Sequence, residues 1–317
     1  MTRAQSFRVL SLDGGGIKGI LPATILADFE TTLGQPVGEY FDLIVGTSTG
    51  GIIALGLGLG LPAQEVLDFY KSDAPIIFGQ PRKFLSRVRA PKHDSAALKK
   101  SLERVFGERR LGEAKTRLVI PSMNLETGEV HVFKTAHHER FERDYKERVV
   151  DVALATAAAP TYFQTHRTPN GTPLIDGGMW AINPMGPAAV EALGVLDWPR
   201  GSVKLLSIGC TDQATSISDK SMGGLGYAGW GRHLISTFMS AQSSGSVGAA
   251  ELLLGHTNVH RISRTVSGGR YTLDGVGGIE SLRGLGASVA RTEYPKVKEM
   301  FLTGKVEPFE PLRKVDG

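Results

Sequence analysis

Cysteine is nearly absent from this chain of 317 residues, where Cys210 is the single one. One thiol excludes an internal disulfide framework and fits a reducing compartment. A long apolar segment is lacking as well, because glycines, a proline and three Thr/Ser residues interrupt the longest uncharged run, Val45 to Gln64, and favour a buried helix over a membrane span. The N-terminal apolar run breaks at Asp13, too early for a secretion signal. We therefore expect a cytoplasmic protein.

Repeats and Pro/Ser-rich linkers are also missing, so we expect residues 1–317 to form a single domain. Apolar runs of strand length alternate with helical patterns, which predicts an α/β fold with a mostly parallel sheet covered by helices on both faces. The predicted strands are FRVLSL, FDLIV, TRLVIP, EVHVFKT, VKLLSIG and NVHRIS, and the predicted helices run from Ile17 to Leu33, Thr49 to Leu59 and Ala63 to Tyr70. The glycine-rich residues 221–233 are a candidate lid.

A glycine-rich turn follows the first predicted strand, in LSLDGGGIKGILPATIL. The spacing of Gly14, Gly16 and Gly19 matches the dinucleotide-binding fingerprint, in which backbone amides hold a pyrophosphate. The same amides suit a developing oxyanion, because a backbone without Cβ atoms can approach a reacting carbonyl closely. The dinucleotide interpretation also needs an acidic ribose ligand about 20 residues on, where Glu30 and Glu39 do not clearly end a second strand. Both interpretations, and a purely structural turn, stay open on these residues.

A serine between two glycines, in FDLIVGTSTGG, lies at the next predicted strand-to-helix corner. Such a corner exposes Ser48 in a sharp turn, and Gly46 and Gly50 let the neighbouring backbone cross without clashes. The hydroxyl also gains from the positive end of the helix dipole as its charge develops. A structural N-cap serine suits the same position. We predict that Ser48 is a nucleophile, because a second glycine turn competent to bind an oxyanion lies at the adjacent strand end.

A nucleophilic serine needs a base, and Asp176 ends a short predicted strand in TPLIDGGMWAINP. In an isolated motif, Asp176 would be interpreted as an Asx-turn residue. One catalytic alternative is a triad of Ser48, Asp176 and either His256 or His260, although His260 has the pattern of a strand residue. The simpler hypothesis is a Ser48–Asp176 dyad, in which partial desolvation makes the carboxylate a stronger base.

With these blocks in order, the sequence resembles the patatin-like phospholipase family. The matching blocks are DGGGIKG, GTSTG, AAAPTYF (Ala157 to Phe163) and DGG (Asp176 to Gly178). The resemblance covers roughly residues 7–210, and a weaker resemblance extends to about residue 290. The resemblance implies a three-layer α/β/α patatin-like fold, completed by helices and strands in residues 211–317. It also implies a lipid acyl hydrolase that uses a Ser–Asp dyad, without a metal ion or cofactor.

Site residues are carried over by position in the matched blocks. Ser48 becomes the nucleophile, Asp176 the base, and the amides of Gly14, Gly15 and Gly16 the oxyanion hole, with Gly15 and Gly16 at its core. Supporting positions are Lys18, Gly46, Thr49, Gly50, Gly177 and Gly178. Two positions depart from the family pattern. Lys18 stands where the family more often has Arg, so the positive charge stays but the bidentate guanidinium is lost. Ile182 stands where the family often has the first of two consecutive Asn residues, so Asn183 is the one that remains.

Within the family, the chain is most similar to short bacterial members, some of which are antiviral effectors switched on by a cyclic nucleotide. The resemblance thus implies a membrane phospholipid substrate, peripheral association with the inner membrane face and a cyclic dinucleotide activator. It leaves room for a homo-oligomer, and we expect no nucleic acid polymer as a partner.

A basic segment runs from Phe78 to Lys100, in a chain whose net charge is +4 and whose pI is about 9.1. The segment contains seven basic residues against the single acid Asp94, with apolar residues between them. The basic residues are Arg82, Lys83, Arg87, Arg89, Lys92, Lys99 and Lys100, and the apolar residues are Phe84, Leu85 and Val88. This pattern fits either a solvated surface or an interfacial patch that binds anionic lipid.

Overall fold

The computed structural model describes residues 6–83, 86–87, 89–213, 227–267 and 269–315, without the side chains of residues 213 and 227–233. In these residues, eight strands form one mixed sheet in the order β5-β6-β3-β2-β1-β7-β8, and β4 pairs with β3 outside this path. The strands are β1 (Phe7–Leu12), β2 (Leu43–Gly46), β3 (Arg117–Asn124), β4 (Val130–Lys134), β5 (His166–Arg167), β6 (Pro173–Asp176), β7 (Val203–Gln213) and β8 (Val259–Val266).

Strand register brings three chain segments to one edge of the sheet. β1 and β2 are parallel, with Leu12 opposite Gly46, so their carboxyl ends lie side by side. β3 is parallel to β2 and extends past its end, since the last matched pair is Val45 and Val119. β6 runs antiparallel to this extension and places its last residue, Asp176, opposite Ser122. Three strand ends therefore converge, although one strand arrives from the opposite direction.

Helices cover both faces of the sheet, and the alternating strand residues show which face each one packs against. Leu10, Leu12 and Ile44 join the larger buried cluster, whereas Val9 and Val45 join the smaller one. The helices of the described residues are α1 (Ile20–Leu33), α2 (Thr49–Gly58), α3 (Ala63–Phe78), α4 (Ser95–Phe106), α5 (Val149–Thr156), α6 (Gly178–Ala181), α7 (Met185–Gly194), α8 (Tyr227–Leu254) and α9 (Ile279–Phe301). Residues of α1, α2, α3, α4, α5 and α9 belong to the larger cluster, and residues of α7 and α8 belong to the smaller. The prediction of a three-layer α/β/α fold with a mostly parallel sheet is confirmed.

The structure differs from the prediction at several boundaries. α3 does not end at Tyr70 but continues through Pro75 to Phe78, because Ala74 and Ile77 extend its buried face. Before α1, a separate 3-10 turn covers Gly16–Gly19. The candidate lid, residues 221–233, lies outside the described residues or outside their described side chains, as do Phe84, Leu85 and Val88 of the basic segment.

None of the helices in the described residues is both long enough and apolar enough to serve as a bilayer span. The apolar run that begins at Val45 instead forms the end of β2 and the buried helix α2, as its glycine content indicates.

Candidate active site

Ser48 occupies a strained corner between β2 and α2. Its φ of 56° lies in the left-handed region, which costs a non-glycine residue about 1–3 kcal/mol and is typical of functional turns. Two close backbone approaches make the corner possible. A Cβ on Gly50 would lie 2.3 Å from the Leu12 carbonyl oxygen, and one on Gly46 would lie 2.2 Å from the Gly50 oxygen. Only glycine fits at these two positions, so the GTSTG spacing is a geometric requirement of the turn.

The Ser48 side chain does not cap α2, which removes the structural N-cap interpretation. Its hydroxyl instead donates a 2.6 Å hydrogen bond to Oδ2 of Asp176, and both residues are buried. The other carboxylate oxygen, Oδ1, accepts a 2.7 Å bond from the Gly178 N–H at the start of α6, directly after Gly177. The structure therefore brings together the two residues that sequence reasoning paired, and it orients the carboxylate with a backbone amide.

Burial controls the ionisation of this carboxyl group. Desolvation raises the pKa of Asp176 from 3.8 to about 6, although the hydrogen bonds from Ser48 and Gly178 lower it in part. Asp176 is therefore largely ionised at neutral pH, yet it is a stronger base than an exposed carboxylate. This is the balance that a residue needs to accept a proton from a serine hydroxyl.

The glycine turn after β1 lies beside Ser48, but its three amides are not equivalent. The Gly14 N–H donates a 2.8 Å bond to the Ile182 carbonyl, so the expectation that Gly14 contributes an oxyanion donor is corrected. Gly15 and Gly16 line the cavity next to Ser48, and their N–H groups have no acceptor among the residues that the structure describes. The two free N–H donors at this turn are thus those of Gly15 and Gly16, the residues predicted to form the core of the oxyanion hole.

The dinucleotide alternative loses its required acidic ligand. Glu30 lies within α1, where its carboxylate accepts the N–H groups of Val37 and Ala63, and Glu39 lies in a 3-10 turn. Neither residue ends a strand as the fingerprint requires.

Both histidines of the triad alternative have other partners. His260 is buried on β8, with Nε2 3.1 Å from Glu293 of α9. His256 is exposed beside Glu251. Since the two carboxylate oxygens of Asp176 bind Ser48 and Gly178, the structure contains a Ser–Asp pair without a third member from these histidines.

Two buried side chains that sequence reasoning missed hold the site in place. The Thr156 hydroxyl accepts the Ser48 N–H at 3.0 Å and donates to the Pro121 carbonyl at 2.6 Å. Asp13, directly before the glycines, forms a bidentate ion pair with Arg261 of β8, at 2.6 and 3.2 Å. The sequence could have indicated Asp13, because it is the first residue of the DGGG block. Its partner Arg261 lies 248 positions further along the chain and could not be paired with it from the sequence.

The supporting residues form hydrogen bonds that hold the glycine turn and the start of α2 in place. Lys18 donates to the Thr211 carbonyl at 3.1 Å, so it ties the glycine turn to β7 with a single amine. The Thr49 hydroxyl donates to Tyr70 at 2.6 Å, and Tyr70 donates back to the Thr49 carbonyl, which secures the first turn of α2 against α3. Ile182 lines the cavity, and Asn183 bonds Ser243 of α8.

A cavity of about 440 Å³ opens at Ser48, and most of its lining surface is apolar. This volume lies within the range of about 300–1,000 Å³ typical of ligand pockets. Its walls come from α3, from the Ala157 to Phe163 block and from the described side chains near the start of α8. Three of those α8 residues are exposed at the mouth: Leu234 by 58%, Ile235 by 64% and Phe238 by 50%. The arrangement suits a long apolar substrate whose reactive carbonyl lies at Ser48.

Comparison with known proteins gives a consistent set of matches. The chain matches the family model described as "Patatin-like phospholipase" over residues 10–189. It is 39% identical to a cGAMP-activated phospholipase of Pseudomonas aeruginosa, covering 77% of this chain and 74% of that protein. It is 30% identical to an Escherichia coli protein of the same name, covering 98% and 95%. The solved structure of VipD from Legionella pneumophila shares the fold, with a TM-score of 0.51 at 12% identity, covering 94% of this chain and 67% of that one.

Proposed function

The chain belongs to the patatin-like phospholipase family and is a hydrolase, and we propose that it cleaves acyl ester bonds of phospholipids through a covalent intermediate on Ser48. The observation that carries this proposal is the 2.6 Å hydrogen bond from Ser48 to the buried Asp176 at the end of an apolar cavity. An apolar cavity of this kind accommodates an acyl chain, and the polar pair at its end meets the ester.

In the first half-reaction, Asp176 accepts the Ser48 proton as Oγ attacks the ester carbonyl carbon. The negative charge that develops on the carbonyl oxygen is stabilised by the N–H groups of Gly15 and Gly16. Collapse of the tetrahedral intermediate breaks the ester C–O bond. The proton on Asp176 passes to the departing oxygen, which becomes a hydroxyl group of the lysophospholipid. Acyl-Ser48 remains.

In the second half-reaction, Asp176 accepts a proton from water while the water oxygen attacks the acyl carbon. The same amides hold the second tetrahedral intermediate. Its collapse releases the fatty acid, and the proton returns from Asp176 to Ser48, which regenerates the enzyme.

Site variants test this mechanism through the release of fatty acid from mixed phospholipids. We expect Ser48→Ala to abolish hydrolysis and Asp176→Asn to lower it by about 10²-fold or more, since an amide does not accept the proton. His256→Ala and His260→Ala serve as controls and should retain substantial activity. A histidine variant as inactive as Ser48→Ala would replace the dyad with a triad.

We further propose that the enzyme associates peripherally with an anionic bilayer surface through the mouth of its cavity. Leu234, Ile235 and Phe238 present apolar side chains there. The basic segment begins at the cavity wall, at Phe78, and returns to it where the Lys92 N–H donates to the Thr161 carbonyl at 2.8 Å. Apolar groups at a mouth rimmed by basic groups are the combination that interfacial binding uses.

A cyclic dinucleotide is the activator that we propose. Support comes from the names of the relatives, of which the Vibrio cholerae protein, 38% identical and likewise called a cGAMP-activated phospholipase, is a third example. A ligand with two phosphates requires cationic side chains and amides, and the basic segment has exposed cations at Lys83, Arg87 and Arg89.

A further inference from the structure

The oxyanion turn is held by a residue far away in the chain. Leu273, in the connection between β8 and α9, accepts the Ile17 N–H through its carbonyl at 2.8 Å. The same oxygen would lie 2.1 Å from a Cβ on Gly16, whose φ is 59°. Leu273 also lines the cavity. The Leu273 carbonyl therefore packs directly against the glycine turn and is one of the contacts that hold it in place.

The next residue, Asp274, fastens this connection to a different part of the molecule. Its buried carboxylate accepts a 2.7 Å hydrogen bond from His93 Nε2 and forms an ion pair with Lys92. Burial alone would raise the pKa of Asp274, but the bonds from Lys92 and His93 outweigh it and lower the pKa below its usual value. The carboxylate is therefore ionised and paired over the neutral range.

Lys92 and His93 are themselves fixed to the cavity wall. The Lys92 N–H donates to the Thr161 carbonyl, and the His93 N–H donates to the Tyr162 carbonyl, both at 2.8 Å. A continuous chain of contacts thus runs from the wall block Ala157 to Phe163, through Asp274 and Leu273, to the oxyanion turn. The steps between different segments are hydrogen bonds or ion pairs, and a peptide bond joins Asp274 to Leu273.

We propose that Asp274 is a positioning residue, which sets the Gly15–Gly16 amides at the distance that the developing oxyanion requires. This proposal rests on the function proposed above. Loss of the pairing lets Leu273 move, and the turn moves with it. A displacement of about 1 Å in a catalytic group can lower a rate by about 10²-fold, and loss of one oxyanion donor costs about 10²–10³-fold.

The test compares Asp274→Asn with the wild type in two assays: turnover of a soluble short-chain ester, and the rate of covalent labelling of Ser48 by a fluorophosphonate. Both reactions build charge on an oxygen that faces the turn. We expect kcat and the labelling rate each to fall about 10-fold or more, whereas KM for the soluble ester changes less than about threefold. Lys92→Met should fall in the same direction, and Lys92→Arg should retain most of the activity because it keeps the ion pair.

The chain offers a matched control in Glu191, a buried carboxylate that also pairs with one lysine and one histidine, Lys134 and His137. Glu191→Gln should lose stability like Asp274→Asn but keep the labelling rate, because Glu191 has no contact with the turn. Thermal unfolding of every variant identifies those that fold. If Asp274→Asn does not fold, Lys92→Met, altered at a partly exposed side chain, carries the same test. Equal labelling of the wild type and a folded Asp274→Asn or Lys92→Met overturns the positioning role. Failure of the wild type to be labelled at all would instead overturn the proposed function.

Discussion

At the scale of single residues, Asp176 carries a conflict between stability and chemistry. Its pKa in the folded protein is raised from 3.8 to about 6 by burial. Between these pH values the folded state binds more protons than the unfolded chain, so the free energy of unfolding falls as pH rises through this window. Above about pH 6 the full cost of the buried charge is present. The raised pKa that suits Asp176 to its proposed role as a base therefore destabilises the fold.

We accordingly expect Asp176→Asn to be more stable than the wild type at pH 8, by on the order of 2 kcal/mol. The advantage should shrink as pH falls from about 6 towards 4, because the wild-type carboxyl then becomes neutral as well. Urea unfolding at several pH values measures this difference. Glu191→Gln is a control of opposite sign: burial raises the pKa of Glu191, but hydrogen bonds from His137 and Lys134 outweigh it and lower the pKa. A less stable Asp176→Asn at pH 8 would contradict the assignment of a raised pKa.

Sequence reasoning identified Ser48 and Asp176 because glycines beside each of them mark where the backbone must turn sharply. It missed Thr156 and the partner of Asp13 because their contacts are made only in the folded chain. Thr156 meets Ser48 across 108 positions, and Arg261 meets Asp13 across 248. It also counted Gly14 among the donors, since the acceptor of its N–H, the Ile182 carbonyl, is likewise far away in the sequence.

At the scale of elements, the direction of β6 shows what a local pattern does not contain. The run that ends at Asp176 indicates a short strand and a turn, but not whether that strand is parallel to its neighbours. The structure pairs it antiparallel to the extension of β3, and this is how its end reaches the edge where β1 and β2 also end. The alternation of strands and helices predicted the parallel centre of the sheet, because the connections from β1 to β2, from β2 to β3 and from β7 to β8 all contain helices, as crossovers between parallel strands do.

The exposed apolar side chains of α8 should act in membrane binding. We expect the triple variant Leu234→Gln, Ile235→Gln and Phe238→Gln to bind phospholipid vesicles more than about 10-fold more weakly, because burial of each side chain contributes about 1.5–3 kcal/mol. Turnover of a soluble short-chain ester should change little. A co-sedimentation assay with vesicles measures the binding.

The control for α8 uses three apolar residues that are equally exposed but lie outside the cavity: Leu252→Gln on the same helix, Val190→Gln and Leu312→Gln. This variant should bind vesicles like the wild type. Equal weakening of both triple variants would indicate that general surface hydrophobicity, and not the cavity mouth, determines binding.

At the scale of the whole molecule, we expect the basic segment to supply the positive charge for binding to an anionic bilayer. The exposed cations of the segment are Lys83, Arg87 and Arg89 before α4 and Lys99 and Lys100 within it, whereas Arg82 is partly buried and donates to the carbonyls of Pro91 and His93. Replacement of Lys83, Arg87 and Arg89 by Gln should weaken binding to anionic vesicles by up to about 10²-fold at low salt, at about 1 kcal/mol each. The salt dependence of binding should flatten as well.

The same charge change on α9, in Arg291→Gln, Lys296→Gln and Lys298→Gln, is the matched control for the basic segment. These residues are exposed and do not line the cavity. If both triple variants weaken vesicle binding equally, the net charge of the protein governs binding, and the rim has no special part in it.

The proposed activation also concerns the whole molecule, because two described segments of residues 211–317 contact the cavity and the glycine turn. α8 forms one wall of the cavity, and the connection before α9 contacts the glycine turn. We infer a single domain on this ground, since α9 shares the larger buried cluster with the N-terminal strands and helices, and α8 shares the smaller cluster with β1, β2 and α7. A ligand that orders either C-terminal segment would change the cavity and the turn together.

A membrane phospholipase held in an inactive state needs a large free-energy change to become active. Moving the population from about 1:99 to 99:1 requires that the ligand favour the active state by about 5.5 kcal/mol, which a small side-chain shift does not supply. We therefore expect weak basal hydrolysis, strong stimulation by one member of a panel of cyclic di- and trinucleotides, and a change in sedimentation or protease protection on binding.

The linear dinucleotide with the same bases is the matched control and should not stimulate. Ser48→Ala should still bind the ligand, with a raised Tm and no hydrolysis, because the ligand stabilises whichever folded state it binds. High basal turnover without a response to any member of the panel would contradict activation and leave the Ser48–Asp176 chemistry unaffected.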